Sequence, residues 1–142
     1  MLVASFNANS IRARLRILLD WLGEVGPDVL CLQETKVQDD DFPVDEIRGA
    51  GYHVAFHGQK SYNGVAILSK QPLTEVQMGF PSGVHADQAR LISARVGEVR
   101  VVNTYVPQGA EVGSEKFAYK LAWLTDLRAE FEARWSGDGL LL

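Results

Sequence analysis

Cysteine is nearly absent: Cys31 is the one copy in 142 residues, inside the apolar run Val29-Leu30-Cys31-Leu32. An internal disulfide is thereby excluded, and a buried thiol in reducing cytosol is the plain reading. Long apolar runs are missing too. Nothing approaches the roughly 20 apolar residues needed to span a bilayer. The start Met1-Leu2-Val3-Ala4-Ser5 has neither a basic flank nor the length of a secretory core. The expectation is a cytoplasmic protein with no membrane role. A basic excess is lacking as well: the net charge is −4, whereas a generic nucleic-acid-binding module carries positive charge that displaces counterions from phosphates. Clustering softens that exclusion, because Arg12, Arg14 and Arg16 stand close together, as do Lys116 and Lys120. A cation-holding enzyme also needs carboxylates, which lower the net charge. No solenoid-period repeat or low-complexity stretch is present, so one globular domain over residues 1–142 is expected.

What is there alternates between strand and helix signals. Leu2 to Phe6 reads as a buried strand. Ser10 can cap a helix with Ile11, Leu15, Leu18, Leu19 and Leu22 at helical spacing, ended by Gly23 and Gly26-Pro27. Val29 to Leu32 reads as a strand buried on both faces, making a strand-helix-strand unit of the kind that builds parallel sheets. A polar loop at Asp39-Asp40-Asp41 leads to a short helix, Val44 to Ala50. From there the character turns to β: Tyr52 to Phe56, Gly64 to Ser69, Arg90 to Val96 and Val99 to Val106, the last two joined by a Gly97-Glu98 hairpin turn. Ser114 can cap a long helix carrying Phe117, Leu121, Leu124, Leu127 and Phe131 on one face and ending near Trp135 and Gly137. Gly139 followed by Leu140-Leu141-Leu142 reads as the opening of another buried strand, and the expectation is a truncated domain.

Ligands of open parallel sheets bind beyond the carboxyl ends of the strands. The first strand runs out into Asn7 and Asn9, the second into Gln33-Glu34-Thr35-Lys36. If the two strands pair, Asn7 and Glu34 are neighbours, and a carboxylate beside an amide is a half-site for magnesium, which takes oxygen ligands. From spacing alone the plainer alternative stands ahead: a turn at Asn7 and a solvated strand end at Glu34. Asn103-Thr104-Tyr105-Val106-Pro107-Gln108-Gly109 offers a second polar strand end, where Tyr105 is either a phosphate donor or a tyrosine with its ring in the core and its hydroxyl in water. Tyr62-Asn63-Gly64 is first a turn signal and second a binding loop. Arg90 could grip a phosphate bidentately, although a solvated charge is commoner at such a position. His53, His57 and His85 lack metal-ligand spacing and are read as non-catalytic.

Four segments in order carry a resemblance: Phe6-Asn7-Ala8-Asn9-Ser10-Ile11-Arg12-Ala13, Asp28-Val29-Leu30-Cys31-Leu32-Gln33-Glu34-Thr35-Lys36, Tyr62-Asn63-Gly64-Val65-Ala66-Ile67-Leu68-Ser69, and Asn103 to Gly109. Together they resemble the exonuclease III branch of the endonuclease/exonuclease/phosphatase superfamily, which includes apurinic endonucleases and pancreatic deoxyribonuclease. The resemblance implies an α/β fold, the N-terminal half of a four-layer α/β sandwich with mixed sheets and flanking helices. It implies that Glu34 ligates the divalent cation, Mg2+ with Mn2+ as an alternative, and that Asn7 supports the metal and phosphate site. Tyr105 would hydrogen-bond the reacting phosphate as a catalytic residue, with Asn9, Lys36 and Arg90 as DNA-binding candidates. The expected partner is duplex DNA with abasic sites or 3′ ends, and the full-length protein is expected to be a monomer.

Two departures accompany the resemblance. Phe6 and Ala8 stand where this branch usually has Trp and Val or Ile. The Gly-Asp-Phe-Asn and Ser-Asp-His segments, the first of which carries the aspartate that orients water, are absent. The isolated 142-residue chain is therefore expected to show little or no nuclease activity, and as half a sandwich to leave its inner face exposed. Two other readings stay in play: another phosphoesterase of the same superfamily, and an inactive α/β interaction module.

Overall fold

The computed structural model describes residues 1–135 and 139–141. Chain order is β1 (Val3–Asn7), α1 (Ile11–Val25), β2 (Val29–Gln33), α2 (Val44–Gly49), β3 (His53–His57), β4 (Val65–Ser69), β5 (Leu73–Met78), β6 (Leu91–Val96), β7 (Val99–Thr104), α3 (Glu115–Glu130) and β8 (Gly139–Leu141). One 3-10 turn covers Asp39–Asp41, and a π turn, Phe131–Trp135, follows α3. Two four-stranded sheets result, ordered β1-β2-β4-β3 and β5-β6-β7-β8. Each mixes parallel and antiparallel pairs; β1 runs parallel to β2, with Asn7 opposite Gln33.

Period-two alternation sorts the side chains into layers. Along β2 and β4, Val29, Cys31, Val65 and Ile67 face the second sheet and meet Ile92, Ala94, Val96 and Val101. Their neighbours Leu30, Leu32, Ala66 and Leu68 face outward onto Ile11, Leu18 and Leu22 of α1 and Ile47 of α2. On the far side Leu91 and Val102 meet Trp123 and Leu127 of α3. The order helix, sheet, sheet, helix is the four-layer sandwich.

The expected bare inner face is therefore not what forms. Strands of both sheets are present and pack face to face, so the inter-sheet core closes on itself. What stays open is an edge. β1 lies at the end of its sheet, and Ser5, Phe6 and Asn7 are exposed, which corrects the expectation of a buried first strand. A cavity of about 410 Å3 opens at this seam beside Ser5, Cys31, Gln33 and Asn103.

Other departures have local causes. Gly23 does not stop α1; Gly26 does, taking the left-handed cap conformation and closing on the Leu22 carbonyl. β5 goes unannounced because Leu73-Thr74-Glu75-Val76-Gln77-Met78 is a mostly exposed edge strand, with a bulge between Thr74 and Gln77. α3 buries Trp123, Leu127 and Glu130, and Phe131 packs beside them as expected, while Leu121 and Leu124 of the expected stripe are exposed. Gly137 and Leu142 lie outside the described residues. Both serine caps form: Ser10 accepts from the Ala13 amide and Ser114 from the Phe117 amide.

Candidate active site

Past their last paired residues, β1 and β2 stay zipped together. Backbone amides of Ala8, Ser10 and Ile11 donate to carbonyls of Gln33, Glu34 and Thr35 at 2.8–3.0 Å. On the other side Thr35 and Lys36 donate to the carbonyls of Gly64 and Asn63. The Asn63-Gly64 turn is thus a buttress. Gly64 sits at φ +90°, and a Cβ there would lie 2.0 Å from Thr35 Oγ1, so only glycine lets the two loops approach. Three residues of the resulting rim, Asn9, Glu34 and Lys36, are held at φ of 43°, 53° and 53°. Non-glycine residues rarely adopt this conformation and it concentrates at functional sites.

The strained turns bring four side chains together. Asn7 Nδ2 donates to Glu34 Oε1 at 2.8 Å, Lys36 Nζ stands 3.1 Å from Glu34 Oε2, and the same ammonium donates to Asn9 Oδ1 at 2.5 Å. Asn7 Oδ1 accepts from the Asn9 amide at 3.1 Å. The Asn7 hydrogen bond is the largest influence on Glu34, outweighing partial burial. With Lys36 and Tyr105 adding to it, the carboxyl titrates below its ordinary value. Glu34 is therefore ionised at neutral pH and is not merely a solvated strand end.

The second sheet supplies the opposite wall. Tyr105, one residue beyond β7, stands near enough to Glu34 for each to shift the other's titration. Burial, then the Glu34 carboxylate, raise its phenol above the ordinary value against the opposing charge of Arg90, so it remains a neutral O–H donor. Arg90 is not a solvated charge either. Its guanidinium carbon lies 4.6 Å from the Tyr105 ring centroid, Nη1 donates to the Tyr105 carbonyl at 3.1 Å, and Nε donates to Gln88 Oε1 at 2.5 Å. A cavity of about 360 Å3 beside them is lined by Gln88, Arg90, Tyr105, Gln108, Lys116 and Tyr119. All six residues singled out from the sequence thus fall on two facing rims.

Some supporting residues were not singled out. Asn103, buried in the sandwich, donates from Nδ2 to the Leu32 and Ala66 carbonyls at 2.7 and 2.8 Å and accepts from Gln33 at 2.8 Å, stitching the second sheet to the strand that ends in Glu34. A polar residue inside Val101-Val102-Asn103 was the available signal. Gln88 gave none. Among the described residues no three His, Cys, Asp or Glu side chains cluster as a metal site; at this rim Glu34 offers a carboxylate and Asn7 an amide oxygen, both hard donors.

The chain is similar to the exodeoxyribonuclease III of Haemophilus influenzae, 41% identical over 133 residues that cover 90% of this chain and 50% of that protein. An AP endonuclease structure from Archaeoglobus fulgidus matches at 47% identity with a TM-score of 0.90, over 94% of this chain and 52% of its own. A Neisseria 3′ phosphatase bound to a product DNA hairpin matches at 37% identity with a TM-score of 0.93, over 99% and 55%. The chain spans about half the length of each of these relatives. The sequence pattern of the endonuclease/exonuclease/phosphatase family matches residues 4–140, nearly the whole of the chain, which therefore belongs to that family.

Proposed function

We propose that this chain supplies the N-terminal half of the active site of a DNA-repair nuclease of the exonuclease III and apurinic endonuclease type, hydrolysing phosphodiesters at abasic sites and 3′ ends of duplex DNA. The observation that carries the reading is the ionised Glu34 between Asn7 and Lys36, facing Tyr105 and Arg90 across one gap. The named activities of the relatives support the choice of DNA over other phosphoesters.

Glu34 and the Asn7 amide oxygen fit a hard divalent cation in kind, and they would hold it with the remaining positions taken by water and substrate oxygens. When bound, such an ion neutralises charge on the phosphoryl oxygens and the departing oxygen. The chain's own groups bind and orient the phosphate. Tyr105 donates its neutral O–H to a phosphate oxygen. Arg90, fixed over the ring, adds positive charge beside that oxygen, and Lys36 and Asn9 meet the flanking backbone. The two hard ligands do not complete a site by themselves, so the isolated chain is expected to be inactive.

The test is cleavage of a duplex carrying one abasic site, with magnesium, by the full-length protein. Glu34→Gln should lower kcat by about 100-fold or more, the scale of losing a preorganised electrostatic group. No cleavage by the wild type would sink the nuclease reading and favour the interaction module, activity of Glu34→Gln within threefold of wild type would remove Glu34 from the metal site, and cleavage of RNA or small phosphoesters in preference to DNA would move the assignment to another phosphoesterase.

A further inference from the structure

The segment from His85 to Arg90 crosses the molecule between α3 and the first sheet, and both ends are fastened. At one end His85 Nε2 lies 2.8 Å from Asp126 Oδ2 on α3. The imidazole is set between two rings, Phe80 at 5.4 Å and Tyr119 at 5.2 Å, and Phe80 in turn stands edge-on to the buried Trp123. At the other end Gln59 takes the Ala89 amide on its Oε1 and gives its own amide to the Asp87 carbonyl, and the Gly64 amide donates to the Ala89 carbonyl. Between the fastenings the Gln88 amide closes a turn on the His85 carbonyl. The Gln88 side chain takes Arg90 Nε, and Arg90 lies on Tyr105.

That sequence of contacts gives the histidine a purpose that metal-ligand spacing could not reveal. A carboxylate accepts from Nε2, so the proton on that nitrogen is fixed by Asp126. With the ring also gripped by aromatic neighbours, the His85 backbone has little freedom, and Gln88 is placed three residues on by its turn. We propose that the His85–Asp126 pair is a positioning device for Arg90 and Tyr105, acting through Gln88, so that α3 holds the phosphate-facing pair in register with Glu34. Neither His85 nor Asp126 touches the reacting groups. This inference rests on the phosphate-binding role proposed above for Arg90 and Tyr105.

The test uses the full-length protein and two readouts. Asp126→Ala should raise KM for the abasic duplex about fivefold while kcat changes less than twofold, the pattern expected when ground-state and transition-state binding weaken together. Asp126→Asn keeps an oxygen acceptor for the His85 N–H and should restore KM to within about twofold of wild type. The second readout is the Arg90 Nε–H resonance in the NMR spectrum, shifted by the Gln88 bond, which should move toward free arginine in Asp126→Ala and stay in place in Asp126→Asn. An unmoved resonance and an unchanged KM in Asp126→Ala, with lowered melting temperature alone, would overturn the proposal, as would an Asp126→Asn variant as impaired as the alanine. Arg90→Ala separates the two ideas: if it leaves KM unchanged, the phosphate reading has failed, and the resonance still decides whether His85 and Asp126 place the arginine.

Discussion

The two rims of the site are preorganised by different means. On the first sheet, Asn9, Glu34 and Lys36 are forced into left-handed backbone by loops that interlock through amides and a glycine with no room for a Cβ. Each such residue costs of order 1–3 kcal/mol and persists only where its surroundings over-determine it. On the second sheet, Gln88, Arg90 and Tyr105 lie outside that region, only His85 at the far end of the segment sharing it at φ 57°, and order comes chiefly from a relay of side chains: Asp126 to His85, Gln88 to Arg90, Arg90 onto Tyr105. A carboxylate meant for a cation has to be fixed closely, which backbone strain achieves. A donor that must turn to meet substrate needs a holder that can yield, which a side-chain relay allows.

The contrast can be attacked from its strained side first. Gly64→Ala puts a methyl group at φ +90° and against Thr35 Oγ1, and is expected to cost about 3 kcal/mol from conformational strain and overpacking together. Urea unfolding measures it, and a loss under 1 kcal/mol would show that the loops relax and the rim is not rigid. Asn103→Ala cuts the stitch between rims, leaving the Leu32 and Ala66 carbonyls without their partner. A cost of about 2 kcal/mol is expected from the stranded acceptors, with the unfolding midpoint as readout and a neutral result as contradiction.

The smallest effect concerns protons. Because the Asn7 hydrogen bond lowers the Glu34 pKa in the folded state, the stability it contributes is present above the ordinary carboxylate value and is lost as pH falls through the lowered one. The melting-temperature difference between wild type and Glu34→Gln should therefore shrink on acidification. A difference that stays constant with pH would mean that the ionised carboxylate is not what Asn7 and Lys36 hold.

Much of the first rim was legible in the sequence, because its residues follow directly on strands whose apolar runs are unmistakable: Val29 to Leu32 fixes where Glu34 falls, and pairing with β1 fixes Asn7 beside it. The glutamate's partners Lys36 and Asn9 follow from the same two loops. The second rim was legible only at Tyr105 and Arg90. Gln88, His85 and Asp126 meet through a turn and a helix 41 residues apart, and no periodicity marks them. β5 was missed since its exposed residues bury too little to leave an alternating pattern. The stripe of α3 was half legible: Leu127 and Phe131 pack as their spacing suggested, whereas Leu121 and Leu124 are exposed and Trp123 makes the contact in their place.

If the two rims act on one phosphate, Glu34 and Tyr105 must be coupled in the cleavage step. Single-turnover cleavage of an abasic-site duplex by the full-length protein, with Glu34→Gln, Tyr105→Phe and the double variant, measures it. Residues that meet at one substrate group should be strongly non-additive, with a coupling of about 1 kcal/mol or more; losses that simply add would place Glu34 and Tyr105 in separate sites.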